Sequence, residues 1–167
     1  ENMNTKVRGR KDLENLSPSL VGEIPAVISG KKWKKEKELH RKKLIVVSEG
    51  RRDMANEAFR VLRSNIDFMS SSDHSKNVYL LTSFNPGSGK SFITFNLAIS
   101  FAIKKKRVLI IDGDLRHGSA SSYINTPTAG LSDILSGREQ DVRKVIVSHP
   151  DYPTLDVLPV GKIPPNP

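Results

Sequence analysis

Cysteine is absent from the 167 residues, which excludes a disulfide framework, a zinc ribbon and a thiol nucleophile within the chain. Long apolar runs are absent too. The longest, around residues 95–103 and 108–111, are short or interrupted, against the roughly 18–20 residues that span a bilayer. The opening Glu-Asn-Met-Asn-Thr-Lys carries no signal-peptide pattern, and an initial Glu in place of Met reads as an excerpt. His40, His74, His117 and His149 are scattered without metal-ligand spacing and read as solvated surface. Acidic residues are in deficit: 18 Asp+Glu against 27 Lys+Arg give a net charge of +9. Such a surplus makes nucleic acid or an anionic membrane surface a candidate partner. Its distribution argues against the first. Residues 1–52 hold 14 basic and 7 acidic side chains, leaving 13 and 11 for the remainder, whereas a globally basic nucleic-acid binder spreads its charge.

What is present divides into two stretches. Residues 1–52 read as a basic tether, polar, with Pro18, Pro25 and a Lys-dominated run over 31–43. Within it 12–16 is a candidate short helix, 22–25 an extended stop, and 44–47 either an edge strand or a segment packed on the domain. Trp33, among Lys31, Lys32, Lys34 and Lys35, is either an interfacial anchor beside anionic lipids or an incidental aromatic in a disordered tether. Residues 53–167 read as the domain. Asp53 is a candidate N-cap, and Phe59, Leu62, Ile66 and Met69 recur at helical spacing. The run at 78–83 predicts a buried strand, 84–89 a loop, 90–103 a buried helix, and 107–111 a second buried strand. Lys104, Lys105 and Lys106 suit the C-terminal end of that helix. Short helices over 131–135 and 139–147 and a third strand over 155–158 complete an α/β pattern with a parallel sheet flanked by helices.

The chemistry concentrates in two places. Asn85-Pro86-Gly87-Ser88-Gly89-Lys90-Ser91 lies between a predicted strand and a predicted helix. A phosphate loop needs small residues whose N–H groups close around phosphates, a helix N-terminus aimed at them, a Lys for the β/γ oxygens and a hydroxyl for Mg²⁺. Gly87, Gly89, Lys90 and Ser91 supply these parts, although Phe84 stands where the strict pattern has its first glycine. The competing reading is an ordinary Gly-rich turn, which the strand–loop–helix context disfavours. The second place is Asp112-Gly113-Asp114-Leu115-Arg116, at the carboxyl end of a predicted strand, where ligands of parallel sheets bind. One carboxylate there can organise Mg²⁺ and the other can accept a proton from an attacking hydroxyl.

These residues resemble a known family, the bacterial tyrosine kinases that control capsule and exopolysaccharide assembly. The family's P-loop, Ser-x-x-Pro-Gly-x-Gly-Lys-Ser, is matched from Ser83 to Ser91 and asks for no glycine at Phe84. Its second motif, three aliphatics and then Asp-x-Asp-x-Arg, is matched from Leu109 to Arg116. Glu57-x-x-Arg60-x-x-Arg63 resembles the family's oligomerisation motif; spacing alone equally allows an intrahelical Glu57–Arg60 pair on a solvated face. Residues 7–25 resemble the segment that follows the second membrane helix of a chain-length regulator, and 161–167 the loop before the family's next helix. The family's third motif and its tyrosine cluster have no match, and only Tyr79, Tyr123 and Tyr152 are present. The fold expected is therefore a P-loop NTPase-like α/β domain, incomplete on its C-terminal side.

The resemblance implies ATP and Mg²⁺ as cofactors. ATP would be bound by Pro86, Gly87, Ser88, Gly89, Lys90, Ser91, Phe92 and Arg116, and Mg²⁺ by Ser91, Asp112 and Asp114. It implies a catalytic set of Lys90, Asp112 and Asp114, with Asp112 as base for the tyrosine hydroxyl. A ring built through Glu57, Arg60 and Arg63, a chain-length regulator segment in the same polypeptide, and the cytoplasmic face of the bacterial inner membrane follow from the same likeness. Nucleic acid is not an expected partner. Two rivals stand beside the kinase. A partition-type ATPase carries a signature lysine where this chain has Asn85, and a noncatalytic nucleotide-gated adaptor would bind without turnover.

Overall fold

The structure, a computed structural model, describes residues 10–13, 19–26, 45–70, 77–118, 123–124 and 129–163. Trp33, the Lys-dominated run over 31–43, His40 and His74 lie outside the described residues, as do 164–167.

Among the described residues three helices and three strands carry the architecture: α1 (Met54–Ser70), α2 (Lys90–Ile103), β1 (Val108–Ile111), α3 (Leu131–Leu135), β2 (Val147–Ser148) and β3 (Leu155–Leu158). A single 3-10 turn, Arg10–Leu13, precedes them and another, Val142–Lys144, leads into β2. The first helix starts where the sequence expects it. The Asp53 carboxylate accepts the Asn56 N–H at 2.9 Å, satisfying one of the donors a helix start leaves over. Its apolar stripe holds for Phe59, fully buried, and for the partly buried Leu62 and Ile66, and fails at Met69, which is 56% exposed. α2 is buried nearly all round from Phe95 to Ala102, as an apolar, Gly- and Pro-free run predicts. It ends in a Schellman arrangement: the Lys106 N–H reaches Phe101 O (3.3 Å) and the Lys105 N–H reaches Ala102 O (2.8 Å), with Lys105 at φ 60°.

The sheet has the order β1-β3-β2. β1 and β3 pair in parallel from Val108↔Leu155 to Ile111↔Leu158, and β2 pairs antiparallel to β3. The sheet is thus mixed, because residues 139–147 form a 3-10 turn and a two-residue strand in place of the expected short helix. The core lies between the sheet and the helix pair, with Phe59, Phe95, Ile99, Leu155 and Val157 fully buried. Burying each such side chain stabilises by about 1.5–3 kcal/mol relative to exposure.

One further expectation is corrected, and one open alternative is decided. Residues 78–83 form no strand: Val78 is 93% and Leu80 90% exposed. A strand exists only as part of a ladder, and among the described residues this run has no ladder partner. For the same reason β1 is only half buried, with Ile110 inside and Leu109 and Ile111 exposed. Of the two readings left open for 44–47, an edge strand or a segment packed on the domain, the second holds. Val46 and Val47 are buried, and their N–H groups donate to the Asn96 Oδ1 at 2.8 and 3.1 Å. Residues 45–48 therefore pack on the domain without forming a strand, and Ile24 joins the same core through α1.

Candidate nucleotide site

The loop ahead of α2 is shaped by two left-handed residues, Gly87 (φ 75°) and Gly89 (φ 93°), the second serving as the N-cap of α2. A Cβ at either would meet nothing within 4 Å, so the dihedral, and not crowding, is what asks for glycine. Ser83 Oγ and Ser88 Oγ both donate to Asn85 O, at 2.9 and 2.7 Å, and draw the loop closed. The Lys90 ammonium folds back over it and donates to Ser83 Oγ at 3.1 Å. The first turn of α2 leaves N–H groups without intrahelical partners, beginning at Lys90 and Ser91. Loop, ammonium and helix start together make an anion cradle.

A short turn joins α2 to β1, so the start of the helix and the carboxyl end of the strand lie at the same end of the layer. Asp112 leaves β1 there. Its N–H donates to Leu158 O at 2.9 Å, extending the ladder, and the residue is only 3% exposed. Asp112 Oδ1 accepts the Asp114 N–H at 3.2 Å. Asp114 Oδ1 accepts the N–H groups of His117 (3.0 Å) and Arg116 (3.3 Å) and lies 3.4 Å from His117 Nδ1. Burial opposes ionisation of Asp114, but the His117 and Arg116 N–H groups and the His117 ring outweigh it and hold its pKa below the usual carboxylate range. These bonds fall on Oδ1, which leaves Oδ2 as the oxygen that can reach a cation. Arg116 meets Asp114 through its backbone N–H, so the guanidinium is not what folds this turn.

The donor set suits a hard divalent ion in the way Mg²⁺ is usually held, by one or two carboxylates and a hydroxyl with the remaining positions left to phosphate and water. Among the described residues no three His, Cys, Asp or Glu side chains gather into a group that could hold a metal ion by themselves. The Phe92 ring packs edge-on against Phe59, with centroids 5.8 Å apart.

The three residues of the α1 motif separate. Glu57 and Arg60 are exposed and paired with each other; the Arg60 guanidinium lowers the Glu57 pKa, and Glu57 raises that of Arg60. Arg63 is buried at 8% exposure and donates through Nη1 to Ser100 O (2.8 Å) and Ser100 Oγ (3.0 Å) on α2. The Lys104 N–H has turned to Phe101 O, and the guanidinium takes its place at the Ser100 carbonyl.

Beyond the expected residues, the loop after β3 reaches α3 at the same end of the sheet. Leu131 N and Ser132 N donate to Pro159 O (2.7 Å) and Val160 O (2.9 Å). The approach is close enough that a Cβ on Gly130 would stand 2.3 Å from Pro159 O. Asp133 accepts the Gly130 N–H at 2.9 Å and the Arg138 Nε at 2.8 Å; that N–H first, then Arg138 and Lys162, depress its pKa against the effect of burial. Sequence reasoning passed over this region because its signal is distributed over Gly130, Asp133, Arg138 and Lys162, with no motif spacing.

Comparison with known proteins agrees with this geometry. Residues 79–144 match the CobQ/CobB/MinD/ParA nucleotide binding domain, the stretch that holds the loop and both carboxylates. The chain is 40% identical over 116 residues to the tyrosine-protein kinase ptk of Acinetobacter johnsonii, and 38% identical over 117 residues to the tyrosine-protein kinase YwqD of Bacillus subtilis. These alignments cover 69% and 70% of the chain. The kinase domain of the Escherichia coli tyrosine kinase ETK superposes with a TM-score of 0.77 at 30% identity, over 96% of this chain and 63% of that one. The chain belongs with the bacterial tyrosine kinases. It spans 15% of the Acinetobacter kinase and 48% of the Bacillus kinase. Its α/β architecture is the part it shares with those kinase domains. Among the described residues no helix is long and apolar enough to cross a membrane.

Proposed function

We propose that the chain is the nucleotide-binding part of an ATP-dependent protein tyrosine autokinase that regulates capsular or exopolysaccharide assembly. The observation that carries this reading is that two groups share one end of the layer: the Gly87–Gly89 loop with Lys90 at the start of α2, and the Asp112/Asp114 pair after β1. The loop N–H groups and the start of α2 bind the phosphates, and Lys90 leaves Ser83 to neutralise charge developing on the transferred phosphoryl. Ser91 and Asp114 would hold Mg²⁺, which when bound would supply charge neutralisation to the phosphates. Asp112, buried beside the ladder, accepts the phenolic proton as the tyrosine oxygen bonds to the γ-phosphorus and the bond to ADP breaks.

Glu57 and Arg60, exposed on α1, are the residues available for docking a neighbouring subunit, which would present its tyrosine in trans. Arg63 supports that surface from inside by tying α1 to α2. The basic residues before position 45 suit an anionic membrane surface, each Lys near such a leaflet contributing roughly 1 kcal/mol. A site at the cytoplasmic face of the inner membrane is the location this reading favours. Lys90→Met in the full-length protein abolishes autophosphorylation, read by phosphotyrosine detection after incubation with ATP. Wild-type activity in that variant refutes the assignment, and phosphate release without phosphotyrosine favours a partition-type ATPase.

A further inference from the structure

Beside the carboxylate turn lies a second recess of about 420 Å³, small but within the range of ligand pockets, walled by Leu115, Ser132, Leu135, Arg138, Lys162 and Ile163. Leu115 directly follows Asp114, so the recess begins where the carboxylate turn ends. It opens at the same end of the sheet, because β1 and β3 are parallel and their carboxyl-end loops supply Leu115 on one side and Lys162 and Ile163 on the other.

Three features define what it can hold. Ser132 is 6% exposed and its hydroxyl finds no hydrogen-bond partner among the described residues, an unusual state for a buried polar atom in a wall of this kind. Lys162 and Arg138 bring two cations against one carboxylate, Asp133. Arg138 meets Asp133 through Nε at 2.8 Å, and its side chain is 57% exposed, so the guanidinium is open to a second acceptor. Leu135 and Ile163 are 65% and 49% exposed and offer an apolar floor. A triphosphate wants converging backbone N–H groups, which the loop at 87–91 already provides. Side-chain cations over an apolar floor suit a peptide that carries carboxylates and an apolar side chain.

We propose that this recess docks an acidic peptide segment flanking the acceptor tyrosine. Its carboxylates lie on Lys162 and Arg138, a polar group meets Ser132 Oγ, and a neighbouring apolar side chain rests on Leu135 and Ile163. The inference rests on the kinase reading above, and the two fail separately.

The test is fluorescence anisotropy of labelled Glu-Glu-Tyr-Leu-Glu-Glu and Lys-Lys-Tyr-Leu-Lys-Lys added to the full chain. The acidic peptide binds more tightly, and its affinity falls with rising salt. Lys162→Glu weakens it tenfold or more, Lys162→Gln and Ser132→Ala each about threefold, and a labelled ATP analogue binds all three variants as it binds the parent. Equal binding of the two peptides, indifference to both Lys162 substitutions, or stoichiometric displacement of the peptide by ADP overturns the proposal, the last by assigning the recess to the nucleotide. In the full-length protein, Lys162→Gln raises KM for an acidic tyrosine peptide and leaves kcat unchanged. Phosphorylation with an unmoved KM sinks the recess and spares the kinase; Lys162-dependent binding without phosphotyrosine sinks the kinase and spares the recess.

Discussion

Because Arg63 follows the fully buried Phe59 by four residues, the helix carries its guanidinium inward, to the Ser100 carbonyl and hydroxyl. Arg60, three residues earlier, stays in water with Glu57. The two arginines therefore separate stability from surface recognition. Arg63→Ala strands the buried Ser100 carbonyl, leaves the Ser100 hydroxyl only its bond to Phe59 O, and costs about 2–3 kcal/mol, which urea denaturation reads as a lower midpoint with an unchanged slope. Arg60→Ala leaves the midpoint in place, since an exposed intrahelical pair contributes little. Equal loss in both variants would dissolve the distinction. His149 makes a comparable point about titration. Expected on the solvated surface, it is instead 4% exposed, and its Nδ1 accepts the Asp151 N–H at 3.2 Å, an arrangement that requires the neutral ring. Burial holds its pKa below the ordinary value, with the Asp151 charge opposing. The unfolded chain thus binds a proton that the folded chain refuses, and stability is full above about pH 6.5 and declines as pH falls below it. His149→Gln flattens that decline, as urea midpoints between pH 7 and pH 5 would show.

At the scale of elements, the end of α2 carries a defect that a single substitution removes. Lys105 stands at φ 60°, the left-handed position that closes a Schellman motif and that glycine ordinarily fills. An L-residue there costs roughly 1–2 kcal/mol, partly offset by the larger entropy that glycine loses on folding. Lys105→Gly is accordingly expected to stabilise the chain by up to about 1 kcal/mol, measured as a rise in the denaturation midpoint; a fall would mean that the lysine makes a contact worth more than its strain. This helix also shows what was legible in the sequence. Its start was carried by Gly87, Gly89, Lys90 and Ser91 and its body by an apolar run, both local signals. The strand expected at 78–83 had an equally good local signal and did not form, because a strand is completed by a neighbour. Asn96 was illegible for a related reason. Mid-helix asparagine reads as weakly unfavourable, and its purpose appears only when Val46 and Val47, some 50 residues away, bring their N–H groups to it. Two-residue β2 and the inward turn of Arg63 likewise depend on partners that no spacing rule names. The carboxylates were readable because Asp112 and Asp114 follow an apolar strand at the end where parallel sheets bind ligands.

For the whole molecule, the decisive feature is that its apolar residues are not all on the inside. Val78, Leu80 and Phe84 are 93%, 90% and 100% exposed, and Leu109 and Ile111 on the edge strand β1 are 46% and 58% exposed. An edge strand with bare backbone groups and exposed aliphatics is a template for unwanted pairing, and natural sheets usually blunt such edges with charge. The net charge of +9 opposes association, yet most of it sits in residues 1–52, away from this edge in sequence. The 167-residue chain is therefore expected to self-associate as concentration rises, through contacts that salt strengthens by screening the basic segment. Leu80→Lys with Ile111→Lys places charge on the exposed run and on the edge. The pair should lower light scattering at high concentration while leaving the affinity for a labelled ATP analogue within a factor of a few, since neither side chain belongs to the phosphate loop or the carboxylate turn. Scattering that is unchanged in the double variant, or that falls with added salt in the parent, would place the contacts elsewhere on the chain.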